Sequence, residues 1–161
     1  MAAKPLFGTV VYLSATGHVL AVVTCGPLEP TVEDLTGGGH VRVRVPNKSA
    51  YVNVPTALLT ATRVEVTEDV LDRPHWHVFN DGAVPLSLGL EPQYDATVPA
   101  GGGAAASNKK LVVVWQTPSE AIAEDSALDA AGDLPASTAP PGTTARLVAW
   151  EGGALYVKPV P

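Results

Sequence analysis

A chain of 161 residues with a net charge of −6 can bury a sizeable core, and it fits one domain or two small β modules that share a core. Only 16% of its residues are charged, against a usual value of about 25%, and the densest basic group, Arg42, Arg44 and Lys48, is three residues on one hairpin. That pattern excludes nucleic acid as a partner, because phosphate contact needs a clustered positive surface. The single Cys25 excludes an intrachain disulfide, and no apolar run approaches the roughly 20 residues that cross a bilayer. Met1 to Phe7 lacks the continuous apolar stretch of a signal peptide. The expectation is a soluble protein of the cytoplasm, or of a particle assembled there.

The chain opens on sheet. Two β-branched runs, 7–13 and 18–24, flank the small turn residues 14–17 and read as a hairpin. Residues 40–45 alternate strictly, with Val41, Val43 and Val45 on one face and His40, Arg42 and Arg44 on the other, as a half-buried strand does. A polar turn at 47–49 leads to a partner strand that stops at Pro55, which lacks the amide a central ladder needs. Residues 62–67 form a further alternating strand with Val64 and Val66 inward. A hairpin is expected over 75–88, with Asp81-Gly82 supplying the turn and Pro85 confining the second arm to an edge or a bulge. One more strand is expected over 94–98.

The Gly- and Ala-rich residues 99–107 offer no side chains for a core. This divides the chain into a β module over 1–99, a loop or linker over 100–109, and a segment 110–161 that completes the same domain or forms a second small module. After a strand at 111–116, Thr117 as a cap, Pro118 at the first helical position and Glu120 as the third residue of a capping box predict a short surface helix over 118–131. A last hairpin, 145–150 and 154–159 around Gly152-Gly153, closes the chain. The strand-then-hairpin pattern of 19–55 recurs at 111–159. The class is mainly β: a sandwich or small barrel of about ten short antiparallel strands with one surface helix.

Candidate chemistry is sparse. His75 and His77, two apart on a strand, would share a face and begin a metal site, but a site needs a third and fourth ligand that no spacing supplies. The plainer reading places Trp76 and Val78 in the core and both imidazoles in water. Cys25 precedes a Gly-Pro turn and reads as a small thiol at a strand end. No Gly-x-Ser-x-Gly elbow occurs, and Gly37-Gly38-Gly39 is not followed by Lys-Ser or Lys-Thr. The carboxylates fall mainly in connectors and on the expected helix, where charge means solvation. Trp76, Trp115, Trp150, Tyr51 and Tyr156 could offer stacking faces to a glycan, although a Trp on an alternating strand is more often core. No cofactor is expected.

From Val78 to Gly103 an Asn-x-Gly turn, an edge strand carrying Pro85 and a later Val-Pro-Ala-Gly-Gly turn resemble the small β-sandwich modules in structural proteins of bacteriophage tails and heads and of contractile injection machines. The resemblance covers about 26 residues, is made of turn chemistry, and carries over no functional residues. It implies a non-enzymatic structural or assembly subunit that docks on a larger protein complex, or on copies of itself, by sheet edges. The residues expected to line such a contact are Arg42, Arg44, Tyr51 and Asn53 on the first hairpin with Trp150 and Tyr156 on the last, since aromatic and Arg side chains dominate interface energetics. A glycan- or ligand-binding β domain and a metal-dependent enzyme built on His75 and His77 are the two alternatives.

Overall fold

The computed structural model describes residues 6–24, 31–36, 39–79, 86–87 and 91–160, and it is mainly β. Strands β1 (Phe7–Leu13) and β2 (Val19–Val23) form the expected opening hairpin, and a short helix, α1 (Val32–Thr36), comes next. The ribbon β3 (His40–Arg44) and β4 (Tyr51–Pro55) turns on Asn47, which takes a positive φ of 63°. Strand β5 (Leu59–Glu65) pairs with β1 along its whole length, so that the first sheet has the order β2-β1-β5. After helix α2 (Glu68–Asp72) come the two-residue strands β6 (His77–Val78), β7 (Leu86–Ser87) and β8 (Gln93–Tyr94). The C-terminal third supplies β9 (Lys110–Gln116), β10 (Ala121–Ala127), β11 (Ala145–Trp150) and β12 (Leu155–Pro159). These join β8 in a five-stranded sheet of order β10-β9-β11-β12-β8.

Alternation along the strands builds a sandwich-like core. Val112, Val114, Leu147, Ala149, Leu155 and Val157 point from one face of the five-stranded sheet into the same cluster as Val11, Leu13 and Leu20 of the first sheet and Val43, Val52 and Val54 of the ribbon. The core therefore draws on residues from both sides of the Gly-rich segment. Each fully buried Val or Leu contributes about 1.5–3 kcal/mol. The opposite face of the five-stranded sheet carries Leu111, Val113, Trp115, Val148 and Trp150, covered by Ala106, Leu128, Val98 and Leu134. A third cluster, Val10, Val19, Val66, Val70 and Phe79, fills the far side of the first sheet. Gly17 is required there: its φ is +83°, and a Cβ would stand 2.4 Å from the Phe79 carbonyl oxygen.

Three sequence-based expectations change. The helix expected over 118–131 is a β turn that leads into β10, paired in register with β9 from Ala121 opposite Gln116 to Ala127 opposite Lys110. The local signal holds as far as its first turn, since Glu120 N–H does donate to Thr117 Oγ1 at 3.1 Å. Beyond that turn the conformation is decided by β9, whose residues 111–116 are buried and whose outer ladder would stay unpaired beside a helix. Each buried amide or carbonyl left without a partner costs about 1–3 kcal/mol, more than the helix preference of Ala, which is under about 0.7 kcal/mol per residue over ordinary residues. The strand expected over 94–98 is reduced to Gln93–Tyr94, and it runs parallel to β12, the exception in an otherwise antiparallel set. The hairpin over 75–88 survives as the pair β6–β7, but His75 lies in a 3-10 turn, Pro74–Trp76, and the expected Asn80-Asp81-Gly82 turn and Pro85 fall outside the described residues, as does Cys25.

Candidate docking surface

The β3–β4 ribbon presents the residues expected at a contact. Alternation buries Val43, Val52 and Val54 and turns Arg42, Arg44, Tyr51 and Asn53 the other way. These outward groups order one another. The Arg42 guanidinium lies 4.1 Å from the Tyr51 ring centroid, and Arg42 Nε donates to Asn53 Oδ1 at 3.0 Å. Arg44 stands opposite Tyr51 in the register and is exposed. A cation–π contact at such a site contributes about 0.5–1 kcal/mol, which favours the Arg42 rotamer over Tyr51 but is less than the entropy of fixing an Arg side chain.

Gln116, in sequence no more than the end of a strand, joins this ribbon to the second sheet. It is 3% exposed. Its Oε1 accepts the Asn53 N–H at 2.9 Å, and its Nε2 donates to the carbonyls of Thr117 at 2.7 Å and Glu120 at 3.3 Å. A polar residue ending a run as apolar as Leu-Val-Val-Val-Trp is the available signal, because a buried amide must find partners. The result is a groove of about 270 Å³ between ribbon and hairpin, lined by His40, Tyr51, Asn53, Gln116, Glu120 and Ala121.

At Ala121 this groove meets the outer edge of β10, which pairs with no further strand among the described residues. The backbone bonds Thr117 N–H to Glu120 O and Leu128 N–H to Lys109 O bracket the β9–β10 ladder and fix its parity. In an antiparallel pair the bonded positions alternate. Residues 122, 124 and 126 therefore bond inward to β9, whereas the N–H and C=O groups of Ala121, Ala123, Asp125 and Ala127 point away from the sheet. Ala123 and Ala127 are exposed, and the strand contains no Pro or Lys of the kind that blunts an edge. Glu124 sits on the adjoining face, where it accepts the Trp115 Nε1–H at 3.2 Å beside Arg146.

The remaining site candidates lie elsewhere. Trp150 is 4% exposed and stacks on the half-buried Tyr156 with ring centroids 5.3 Å apart, on the outer face of the five-stranded sheet, so the structure does not bring them to the ribbon. Its ring faces are covered, which removes it as a stacking platform. His75 and His77 are also not on one wet face. His77 is 3% exposed, with Nδ1 at 2.9 Å from the Arg73 carbonyl and Nε2 at 3.1 Å from Asp69. Asp69 also accepts from Arg73, whose hydrogen bonds hold its carboxyl below the usual range. Burial lowers the pKa of His75 and keeps it neutral, so Nε2–H donates to the Leu20 carbonyl at 3.0 Å and Nδ1 accepts the Tyr94 hydroxyl. Burial raises that hydroxyl to about 12.

His18, which no local pattern marks out, obeys the same logic. It is 2% exposed and its pKa is lowered by burial; Nε2–H donates to Gly153 O at 2.7 Å and Nδ1 accepts from Thr16 Oγ1 at 2.8 Å. These imidazoles cross-link sheets. Among the described residues no three His, Cys, Asp or Glu side chains cluster as metal ligands, and no helix is long and apolar enough to cross a membrane.

No protein-family model, no curated protein and no solved structure matches this chain.

Proposed function

We propose that this protein is a non-enzymatic structural or assembly subunit that docks on a larger protein complex, of the phage-like or injection-machine kind, by accepting a partner's strand on β10. The observation that carries the reading is the edge itself: seven residues long, paired with no further strand among the described residues, and with the main-chain groups of Ala121, Ala123, Asp125 and Ala127 turned outward. Strand addition draws affinity from such main-chain bonds and specificity from alternate side-chain positions. Tyr51 and Asn53, with Arg42 against them, line the groove at the Ala121 end of that edge and would meet the partner where it leaves β10.

The partner is a strand of a different protein carrying Lys or Arg. Pairing with a second copy over all seven residues would set Glu124 directly opposite Glu124, and like charges in that position destabilise a sheet. The β10 sequence holds two carboxylates and no base, in a chain of net charge −6. The test is amide NMR with two extended, β-branched peptides that differ in one central residue, Lys or Glu. The Lys peptide should shift the amides of residues 121, 123, 125 and 127, and Ala123→Pro should abolish that binding while leaving the melting temperature unchanged, because that N–H meets no acceptor among the described residues. Equal binding of the Glu peptide, or shifts that survive in Ala123→Pro, would overturn the reading. So would a discrete homo-oligomer in light scattering that Ala123→Pro dissolves, since it would make a second copy the occupant.

A further inference from the structure

A separate groove of about 520 Å³ opens on the other side of the five-stranded sheet, between the β11–β12 turn and residues 102–109. Its volume falls in the range of small-molecule sites. Its lining includes Trp150, which carries an unpartnered polar atom. Trp150 is 96% buried by its 4% exposure, yet its Nε1–H donates to no acceptor among the described residues and is not sealed from solvent. The indole nitrogen reaches the groove between two glycines, whose missing side chains leave it room: a Cβ on Gly153 would stand 2.2 Å from it, and a Cβ on Gly102 would stand 3.1 Å from it. Both glycines line the groove. Trp115, by contrast, spends its N–H on Glu124.

The lining gives the ligand its chemistry. Tyr156, Ala105 and Ala154 provide an apolar wall, the Trp150 N–H a fixed donor at the base, and Lys109 and Glu151 a donor and an acceptor at the mouth. An anion would gain Lys109 and meet Glu151, and a cation the reverse, so the mouth favours a neutral ligand. A ring with one C–H face and hydroxyls around its rim satisfies all four groups at once. We propose that this groove binds a neutral pyranose, with a sugar oxygen accepting the Trp150 Nε1–H and the C–H face against Tyr156. The indole acts here as a hydrogen-bond donor from below.

The test uses the intact chain and the indole N–H resonances in a nitrogen-15 correlation spectrum, with the Trp150 signal assigned by its loss in Trp150→Phe. Methyl glycosides of glucose, galactose, mannose and N-acetylglucosamine are titrated in turn to millimolar concentrations. The expected result is a saturable shift of the Trp150 indole signal with at least one of them, while the Trp115 signal stays in place. Ala105 is exposed, so Ala105→Phe fills the groove without disturbing the core and should remove the shift. A Trp150 signal that moves with none of the four glycosides, or that moves equally in Ala105→Phe, would mean that the N–H is met by water alone and would overturn the proposal.

Discussion

The strand-then-hairpin pattern occurs twice in the sequence, and the two copies fold differently. In the C-terminal copy β9 pairs directly with β11, and β11 with β12, so all three strands run side by side in one sheet. In the N-terminal copy β2 pairs with β1, and β3–β4 forms a ribbon of its own. Side-chain character explains the difference. Residues 111–116 are buried on both faces and suit a central strand, whereas β3 alternates Val with His and Arg and has only one face to bury. A strand with a charged face becomes a cover over the core, and its charged face is left at the surface. Like pattern at the level of strands and turns thus leads to the middle of a five-stranded sheet in one copy and a covering ribbon in the other.

Paired substitutions can break that contrast. Val114 in β9 and Val52 in β4 are both 0% exposed in the same cluster. Val114→Ala is expected to cost about 2–3 kcal/mol and Val52→Ala about 1–2 kcal/mol, because a strand flanked on both sides cannot move in to fill a cavity and a ribbon can. Equal costs in urea titrations would show that the ribbon is as fixed as the sheet. Next in size, Gln116→Leu leaves the Asn53 N–H and the Thr117 carbonyl without partners, while Glu120 O keeps the Thr117 N–H, and it should cost about 1–3 kcal/mol. Hydrogen exchange at the Asn53 amide should accelerate in that variant, and an unchanged rate would sever the proposed tie between the two copies.

Acid should loosen the cross-links next. His18 and His75 have pKa values lowered by burial, so the unfolded chain takes up more protons than the folded one as pH falls. Their stabilisation is complete above the ordinary imidazole value of about 6.5 and is lost progressively below it. The urea midpoint should therefore decline between about pH 7.5 and about pH 5, and less steeply in His18→Gln, which keeps a donor for Gly153 O but takes up no proton. A midpoint flat over that interval would contradict neutral imidazoles. The smallest effect is expected at Arg44→Ala, on the exposed face of the ribbon, where stability should change by no more than about 0.5 kcal/mol. A larger loss would make that face part of the scaffold.

What the sequence determined by itself is what short-range chemistry decides. The hairpins at β1–β2, β3–β4 and β11–β12 are legible because alternation and turn residues act over a few positions, and the outward set Arg42, Arg44, Tyr51 and Asn53 comes from the same period of two. Tertiary structure alone decided the rest. Thr117 to Glu120 carries the hydrogen bond of a helix cap, but the buried β9 beside it needed a ladder partner, and residues 121–127 became a strand whose far edge pairs with no other among the described residues. His18, 135 residues from Gly153, Asn53, 63 from Gln116, and His75, 19 from Tyr94, met partners that no local pattern announces. Trp150 went under the outer face against two glycines from separate segments, Gly102 and Gly153, whose missing side chains make room for its indole nitrogen. Burial and non-local pairing are properties of the assembled sheets, and a side chain's role is set there whenever its partner comes from another strand.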